Sequence, residues 1–329
     1  KILINLKTKY FIIIKIMKFN VNQQDLQQAL SHCQGVIEKR STLPILSNIL
    51  LDVQKTKLTI TATDLDLIFI HEIENVEVLE EGKTTTTSSI MHDIVRKFSS
   101  GKKINLTLTD SSKLHLESEK SIFNLNCISS SEFPLTDENF NQNEFLINSK
   151  HLLKLLNKCK FSVSNDETRH YLSGIYFHQN EVDDKNYLTA VATDSHRMSI
   201  SKIRLEKKID FDPIILPKKT IFQLCSLLDN YDGEVRISNL KSKIKFELKN
   251  SILISKLIDG KFPNYIQVIP KNNQKKLEID LKLFLNSVDR VASVSQDKKD
   301  GVKFNLSKDT LNLSVNNTNS DYGKETLYV

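Results

Sequence analysis

The segment TDSHR at 193–197 gathers a carboxylate, a hydroxyl, an imidazole and a guanidinium in five consecutive residues. Hydrolysis is disfavoured because Asp194 and His196 point to one face of a strand end and Ser195 to the other, so they cannot form a relay. A metal site at Asp194 and His196 would need further ligands that the sequence does not offer. We therefore predict a polar corner in which Asp194 accepts hydrogen bonds from nearby backbone, as does Asp64 at the equivalent position of an earlier repeat.

Basic residues near predicted helices are candidates for phosphate binding. Pro217 followed by Lys218 and Lys219 places a proline at a helix start and two lysines in the first turn. Free backbone N–H groups in such a turn already favour an anion such as a DNA phosphate. Arg96 and Lys97 lie on the corresponding helix of the earlier repeat. A lysine pair is more often a solvated face, but recurrence in two repeats favours a shared surface.

Glycine and cysteine usage argues against other common chemistries. The chain has eight glycines and neither G-x-x-x-x-G-K nor G-x-G-x-x-G, so we predict no nucleotide-hydrolysing loop. The cysteines form no C-x-x-C pair, which argues against zinc and suits reduced thiols in the cytoplasm. We predict no catalytic residue, no metal and no cofactor. We expect all four cysteines to be buried as small hydrophobic residues: Cys33, Cys127, Cys159 and Cys225.

An internal repeat defines the elements that carry these residues. A marker segment, LTITATDLDL (58–67), recurs as LTAVATDSHRMSI (188–200) and, in degenerate form, as LNLSVNNTNSD (311–321). This spacing of about 120 to 130 residues is that of whole domains. A short strand and then a helix are predicted to open each repeat, at 19–37, 145–163 and 277–294, with Asn148 or Ser149 capping the second of these helices.

The repeat predicts an α+β fold made of tandem domains. The first two repeats each contain a second helix, at 88–100 and 217–229, whereas the chain ends soon after the third marker. We therefore expect two complete domains and part of a third. The predicted boundaries are an upstream extension outside the fold at 1–16, domains at 17–140 and 145–268, and a partial domain at 275–329.

The net charge of +6 is unevenly distributed. Four of these charges are lysines in the first sixteen residues, which leaves +2 for the rest of the chain. Because the charges of the remaining chain nearly cancel, its net charge cannot hold DNA, and any DNA contact must come from a local basic patch. The apolar run within 1–16 is interrupted by lysines and too short to span a bilayer, so no membrane association is predicted.

Several separated motifs resemble one family. STLPILSNILL (41–51), TATDLD (61–66), VATDSHR (191–197) and DGKFPNY (259–265), in this order, resemble the bacterial DNA sliding clamp, the β subunit of DNA polymerase III holoenzyme. The resemblance implies a non-catalytic processivity factor whose helices line a hole and whose antiparallel sheets lie outside. It also implies a homodimeric ring if the third domain is complete. The implied partners are double-stranded DNA of any sequence, the polymerase III catalytic subunit, the clamp loader and other proteins with clamp-binding peptides.

The resemblance implies three surfaces, each carried over position by position. The DNA-facing set is Arg40, Arg169, Tyr171, Lys218 and Lys219, to which the helix pattern adds Arg96. The pocket for partner peptides comprises Leu172, Thr193, Ser195, His196, Arg197, Met198, Pro263 and Val268, with Ser195 replacing a usual glycine. The subunit interface places Lys120, Phe123 and Leu125 opposite Val294, Asp321 and Glu325.

Two alternatives remain open. The first is a truncated remnant that forms no ring and acts as a weak DNA- or peptide-binding module, which the stop at Val329 suggests. The second is a hydrolase built on Asp194, Ser195 and His196. Retention on circular DNA in high salt separates the clamp from the first alternative, because charge-driven binding weakens steeply with salt whereas topological linkage does not.

Overall fold

A computed structural model describes residues 17–38, 42–110, 112–135, 144–209, 211–295, 301–316 and 321–329. The chain divides into two compact units, Lys1–Phe262 and Pro263–Val329. The predicted extension at 1–16 and the predicted DNA contact Arg40 lie outside the described residues.

Two helices of the first unit follow asparagines whose side chains accept from a free N–H group of the first turn. The Asn22 side chain accepts from Gln24 N (2.8 Å) at the start of α1, and Asn148 accepts from Lys150 N (3.0 Å) at the start of α3. The predicted cap at Asn148 is thereby confirmed, and Pro217 immediately precedes α4 as expected. The α-helices in the described part of this unit are α1 (Gln23–Cys33), α2 (Ser88–Val95), α3 (Ser149–Cys159) and α4 (Lys218–Leu228).

One 13-stranded sheet runs through both repeats of the first unit, in the order β10-β15-β16-β17-β4-β3-β2-β6-β9-β8-β7-β1-β5. Its first-repeat strands are β1 (Lys18–Asn22), β2 (Asn48–Gln54), β3 (Lys57–Thr63), β4 (Leu67–Ile73), β5 (Glu77–Glu80), β6 (Gly82–Thr87), β7 (Lys103–Asp110), β8 (Lys113–Ser118) and β9 (Ser121–Ile128). Its second-repeat strands are β10 (Glu144–Asn148), β15 (Glu234–Asn239), β16 (Lys243–Glu247) and β17 (Ser251–Lys256).

The two repeats meet where β4 pairs antiparallel with β17. Leu67–His71 lie opposite Ser251–Ser255, so backbone pairing continues from one repeat into the next. We call this pairing the repeat seam. A second sheet of four strands, in the order β13-β12-β11-β14, completes the second repeat: β11 (Gly174–Val182), β12 (Lys185–Thr193), β13 (Met198–Arg204) and β14 (Ile214–Pro217).

Helices and sheets of the first unit enclose one apolar core. Leu26 and Leu30 of α1 are fully buried, as are Leu155 and Leu156 of α3 and Phe69 of β4. Each such side chain stabilises the fold by about 1.5–3 kcal/mol relative to an exposed one. Cys33, Cys159 and Cys225 are buried as predicted, but the prediction for Cys127 is wrong, because this residue on β9 is only half-buried.

The second unit packs one helix on three strands. Asp280 caps α5 (Leu281–Ala292) by accepting from Leu283 N (2.8 Å). The strand predicted before this helix is wrong, since the residues just before α5 form no regular structure. Its core consists of Val291, Leu311, Leu313, Val315 and Leu327, and its sheet of β18 (Lys303–Leu306), β19 (Thr310–Asn316) and β20 (Tyr322–Tyr328).

The three sequence markers occupy equivalent places. They form β3, β12 and β19, each paired on both sides with the strands adjacent to it in sequence. The predicted α+β fold of repeated domains is confirmed. Among the described residues, no helix is long and apolar enough to cross a membrane.

Candidate functional site

The corner after β12 is held by Asp194. Its Oδ1 accepts from His196 N and Arg197 N, both at 3.0 Å, and its Oδ2 accepts from Arg197 Nε at 2.9 Å. Burial raises the pKa of Asp194, but these hydrogen bonds outweigh burial and leave the pKa below its ordinary value. The equivalent Asp64 accepts from Asp66 N (3.0 Å) and Leu67 N (2.6 Å). The predicted structural role of both aspartates is confirmed, although Asp194 and Ser195 lie in the turn and not on the strand.

Ser195 joins this corner to the segment before β11. Ser195 has φ +79°, a left-handed conformation that costs a non-glycine residue about 1–2 kcal/mol. Its Oγ accepts from Arg169 Nη1 (2.5 Å), and Arg169 Nε donates to Asp166 Oδ2 (2.7 Å). Hydrogen bonds from Thr168 and Arg169 lower the pKa of Asp166 to about 2. The structure thus places Arg169, predicted to face DNA, against a residue predicted for the peptide pocket.

The other predicted pocket residues differ in exposure. Leu172 is buried, Met198 is half-buried, and His196 and Arg197 are exposed. The Arg197 guanidinium lies 5.6 Å from the ring centre of Phe161, which is 56% exposed. Sequence reasoning missed Phe161, because a single aromatic residue after a helix carries no periodic signal. Pro263 and Val268 belong to the second unit and are exposed there.

The two lysines that open α4 have different surroundings. Lys219 Nζ donates to Asp64 Oδ2 (2.5 Å) and to Val36 O (2.6 Å), both in the first repeat. Lys218 Nζ donates to the neutral side chain of Asn165 within its own repeat. The structure thus separates two lysines that the sequence grouped together.

The helix placement of Arg96 and Lys97 is wrong, since α2 ends at Val95. Arg96 caps the C-terminus of α2 and pairs with Asp93 (3.0 Å). It therefore lies at the end of its helix opposite to the lysines of α4. Tyr171 is half-buried and packs edge-on against His170, with 5.8 Å between ring centres.

An open cleft of about 860 Å³ is lined by residues of α1, α3 and α4. Its walls are mainly uncharged and polar, and none of its lining residues was predicted as a site residue. The amide-rich sequence of α1 was the only signal available for it. The principal lining side chains are Gln24, Gln27, Gln28, Asn157, Lys160 and Phe222.

Residues predicted for the subunit interface lie on or next to β9 and β20, and just after α5. Lys120, just before β9, is exposed. On β9 itself, Phe123 is 38% exposed, whereas Leu125 is buried. Among the described residues, β9 pairs with β8 along its length but with β6 only at Cys127 and Ile128, so the edge at 121–126 carries no second strand.

The predicted acids and valine lie in the second unit. Glu325 accepts hydrogen bonds from Arg290 (2.6 Å) and Ser287 (2.7 Å), and the Arg290 bond is the main reason why the pKa of Glu325 is lowered. Val294 packs against the core of this unit, and Asp321 is exposed just before β20. β20 is an edge strand of its sheet.

Three family models match consecutive parts of the chain. They describe the N-terminal domain of the DNA polymerase III beta subunit (residues 17–137), its central domain (146–264) and its C-terminal domain (266–329). The third match is the shortest. The chain belongs to the DNA polymerase III beta subunit family, the beta sliding clamps, which are non-catalytic processivity factors of DNA replication.

Individual relatives agree with this assignment. The chain is 34% identical to the beta sliding clamp of Caulobacter vibrioides over 95% of this chain and 84% of that protein. It is 31% identical to the beta sliding clamp of Escherichia coli K12, with the same coverage. A crystal structure of the Caulobacter crescentus clamp covers 96% of this chain and 84% of its own, at TM-score 0.90 and 33% identity. A Bartonella birtlesii clamp bound to griselimycin has a TM-score of 0.90 at 34% identity, covering 95% of this chain and 84% of its own.

Proposed function

We propose that this chain encircles duplex DNA as one subunit of a ring and tethers DNA polymerase III to its template. The observation that carries the proposal is the match of three consecutive clamp domains to a chain whose own sequence repeats three times. A ring holds DNA by topology, so its inner wall needs only weak, sequence-independent attraction to phosphates. The near-balanced charge of the chain body suits such a wall. We propose domain boundaries at 17–140, 145–268 and 275–329.

The proposed DNA-facing charge is sparse. Lys218 at the start of α4 bonds to Asn165, a neutral partner that does not offset the lysine charge. Arg96 and Arg169 add charge, although each is already paired with an aspartate. Lys218 N at the start of α4 already donates to Ser173 O, so only the later N–H groups of this first turn can add to the attraction for phosphate. We propose that Lys218 makes the strongest single phosphate contact, with Arg96, Arg169 and Tyr171 contributing less.

The proposed peptide-binding surface lies at the corner after β12. Buried Leu172 and half-buried Met198 provide an apolar base, and Thr193, Ser195, His196 and Arg197 provide polar groups at its rim. An apolar base with a few polar groups suits anchor side chains of linear peptides. The relative bound to griselimycin supports a ligand site on proteins of this fold.

The proposed subunit contact joins the open edge of β9 to an edge of a second copy. Exposed edge strands such as β9 and β20 are ready templates for pairing with another chain. Phe123 offers apolar area at that edge of the first unit. We propose that Lys120 lies opposite acidic groups of the other copy, which include Asp321 and Glu325.

The test loads the purified chain with a clamp loader onto nicked circular plasmid and then raises the salt concentration. A clamp stays on the circle in high salt and leaves when the plasmid is linearised. If the protein is lost equally from circular and linear DNA as the salt concentration rises, the proposed clamp function is contradicted. That result favours a binding module that forms no ring. Light scattering on the purified chain before loading distinguishes a dimer, which is expected for a ring, from a monomer.

A further inference from the structure

Beside the repeat seam, a charged contact also joins the two repeats. Asp64 follows β3 of the first repeat, and its side chain is only 6% exposed. Its Oδ1 is occupied by two backbone N–H groups of its own turn. Its Oδ2 accepts from Lys219 of the second repeat. A carboxylate this buried requires a compensating charge, and Lys219 supplies it.

The second repeat shows what the same turn does without such a partner. Asp194 uses Oδ1 in the same way as Asp64, but its Oδ2 is satisfied within the turn by Arg197 (2.9 Å). In the first repeat, Leu67 stands at the place of Arg197 and offers no charge. The Oδ2 of Asp64 is therefore available to a cation from the neighbouring repeat.

Lys219 is anchored to the first repeat by two bonds although it belongs to α4 of the second. Besides Asp64, its Nζ donates to Val36 O after α1 (2.6 Å). Gln223, one turn further along α4, donates to His32 O (2.9 Å) and reinforces the same contact. One face of α4 is thus fastened to the end of α1.

This pairing also affects the charge seen by a phosphate near α4. The positive charge of Lys219 is offset by Asp64 at hydrogen-bond distance, so the pair is nearly neutral to a more distant anion. In the part of the chain that the structure describes, Lys218 forms no ion pair and donates instead to the neutral Asn165.

We propose that Lys219 is a positioning residue that fastens the second repeat to the first through Asp64, and that Lys218 alone carries the phosphate-binding charge of this helix start. The positioning role of Lys219 depends only on the contact between the two repeats. The phosphate-binding role of Lys218 rests on the proposed DNA-binding function.

Hydrogen exchange measured by mass spectrometry tests the seam on the full chain. Lys219→Met and Asp64→Asn are expected to speed exchange in peptides covering Leu67–His71 and Ser251–Ser255 by at least about tenfold. Lys219→Arg, which keeps the charge, should restore most of the protection. The matched control is Lys256→Met, which removes an exposed ion pair with Asp66 across the same seam and should change exchange by less than about twofold.

The salt dependence of binding to linear duplex tests the charge assignment. Lys218→Met should reduce the slope of log K against log salt by about 0.9, the value for one phosphate contact, whereas Lys219→Met should leave the slope unchanged. The proposal is overturned if Lys219→Met reduces the slope. It is also overturned if the seam peptides of Lys219→Met exchange hydrogen as slowly as those of the wild type. If Lys219→Met does not fold, hydrogen exchange in Asp64→Asn and Lys219→Arg tests the positioning role of Lys219. If the wild-type chain shows no salt-dependent duplex binding, the proposed function fails while the exchange test still judges the seam.

Discussion

Acidification should weaken the repeat seam through His71. This residue lies on β4, stacks against Phe69 with 6.1 Å between ring centres, and bonds through Nδ1 to Ser251 Oγ across the seam (2.8 Å). Burial, with a smaller contribution from nearby His32, lowers the pKa of His71 to about 4, although Glu72 acts in the opposite direction. At neutral pH the ring is therefore uncharged in the folded chain.

The direction and size of the stability change follow from the difference between the pKa of His71 in the folded chain and in the unfolded chain. An unfolded histidine has a pKa of about 6.5, so between pH 6.5 and 4 the unfolded chain binds the proton that the folded chain refuses. The contribution of His71 to stability is complete above pH 6.5 and decreases as the pH falls towards 4. At pH 5 the expected loss is at most about 2 kcal/mol, reduced to about 1 kcal/mol if water reaches the ring.

Urea unfolding followed by circular dichroism at pH 7.5 and pH 5 measures this loss. His71→Gln is the matched variant, because its amide can still bond to Ser251 but does not titrate. All eight histidines lie in the first unit, so histidine titration in this pH range reports on that unit. His32 and His178 also have lowered pKa values from burial, but they titrate in both proteins. Equal losses of stability in wild type and variant on acidification would refute the reasoning.

Three further substitutions test other features of the fold. Leu313→Ala removes one of five buried core residues of the second unit and should cost about 2–5 kcal/mol, with faster hydrogen exchange confined to 263–329. Gly174→Ala would place a Cβ 2.3 Å from Leu216 O, so the melting temperature should fall by an amount equivalent to about 2–3 kcal/mol; an unchanged value contradicts the close approach. Lys55→Gly relieves a φ of +54° and should stabilise the chain by about 0.5–1 kcal/mol in urea unfolding, whereas Lys55→Ala should not.

Local sequence signals predicted the local structure of this chain well. The marker repeat identified the central strands β3, β12 and β19 because alternating apolar residues are typical of a strand with one face in the core. Asn148 and Pro217 identified helix starts because free N–H groups in the first turn restrict the residues tolerated there. The roles of Asp64 and Asp194 followed from the ability of aspartate to bond to its own turn.

Contacts between distant residues were not predictable in this way. Nothing in the order of residues shows that β4 pairs with β17, or that Lys219 reaches Asp64 across 155 positions. The bond between Arg169 and Ser195 depends on how the corner after β12 packs against the segment before β11. Such pairings are set by tertiary packing, so sequence reasoning grouped Lys218 with Lys219 although their surroundings differ.

The repeat seam has a consequence for synthesis of the chain on the ribosome. β4 is complete at Ile73, but its partner β17 ends about 180 residues later. At roughly 5–20 residues per second, one edge of this apolar strand stays without its partner for roughly 10–40 s. An unpaired apolar edge is a template for aggregation, and His71 and Glu72 provide polar groups only at its end. The yield of soluble protein should therefore depend on how quickly translation reaches Lys256 and on whether a chaperone covers β4 until then.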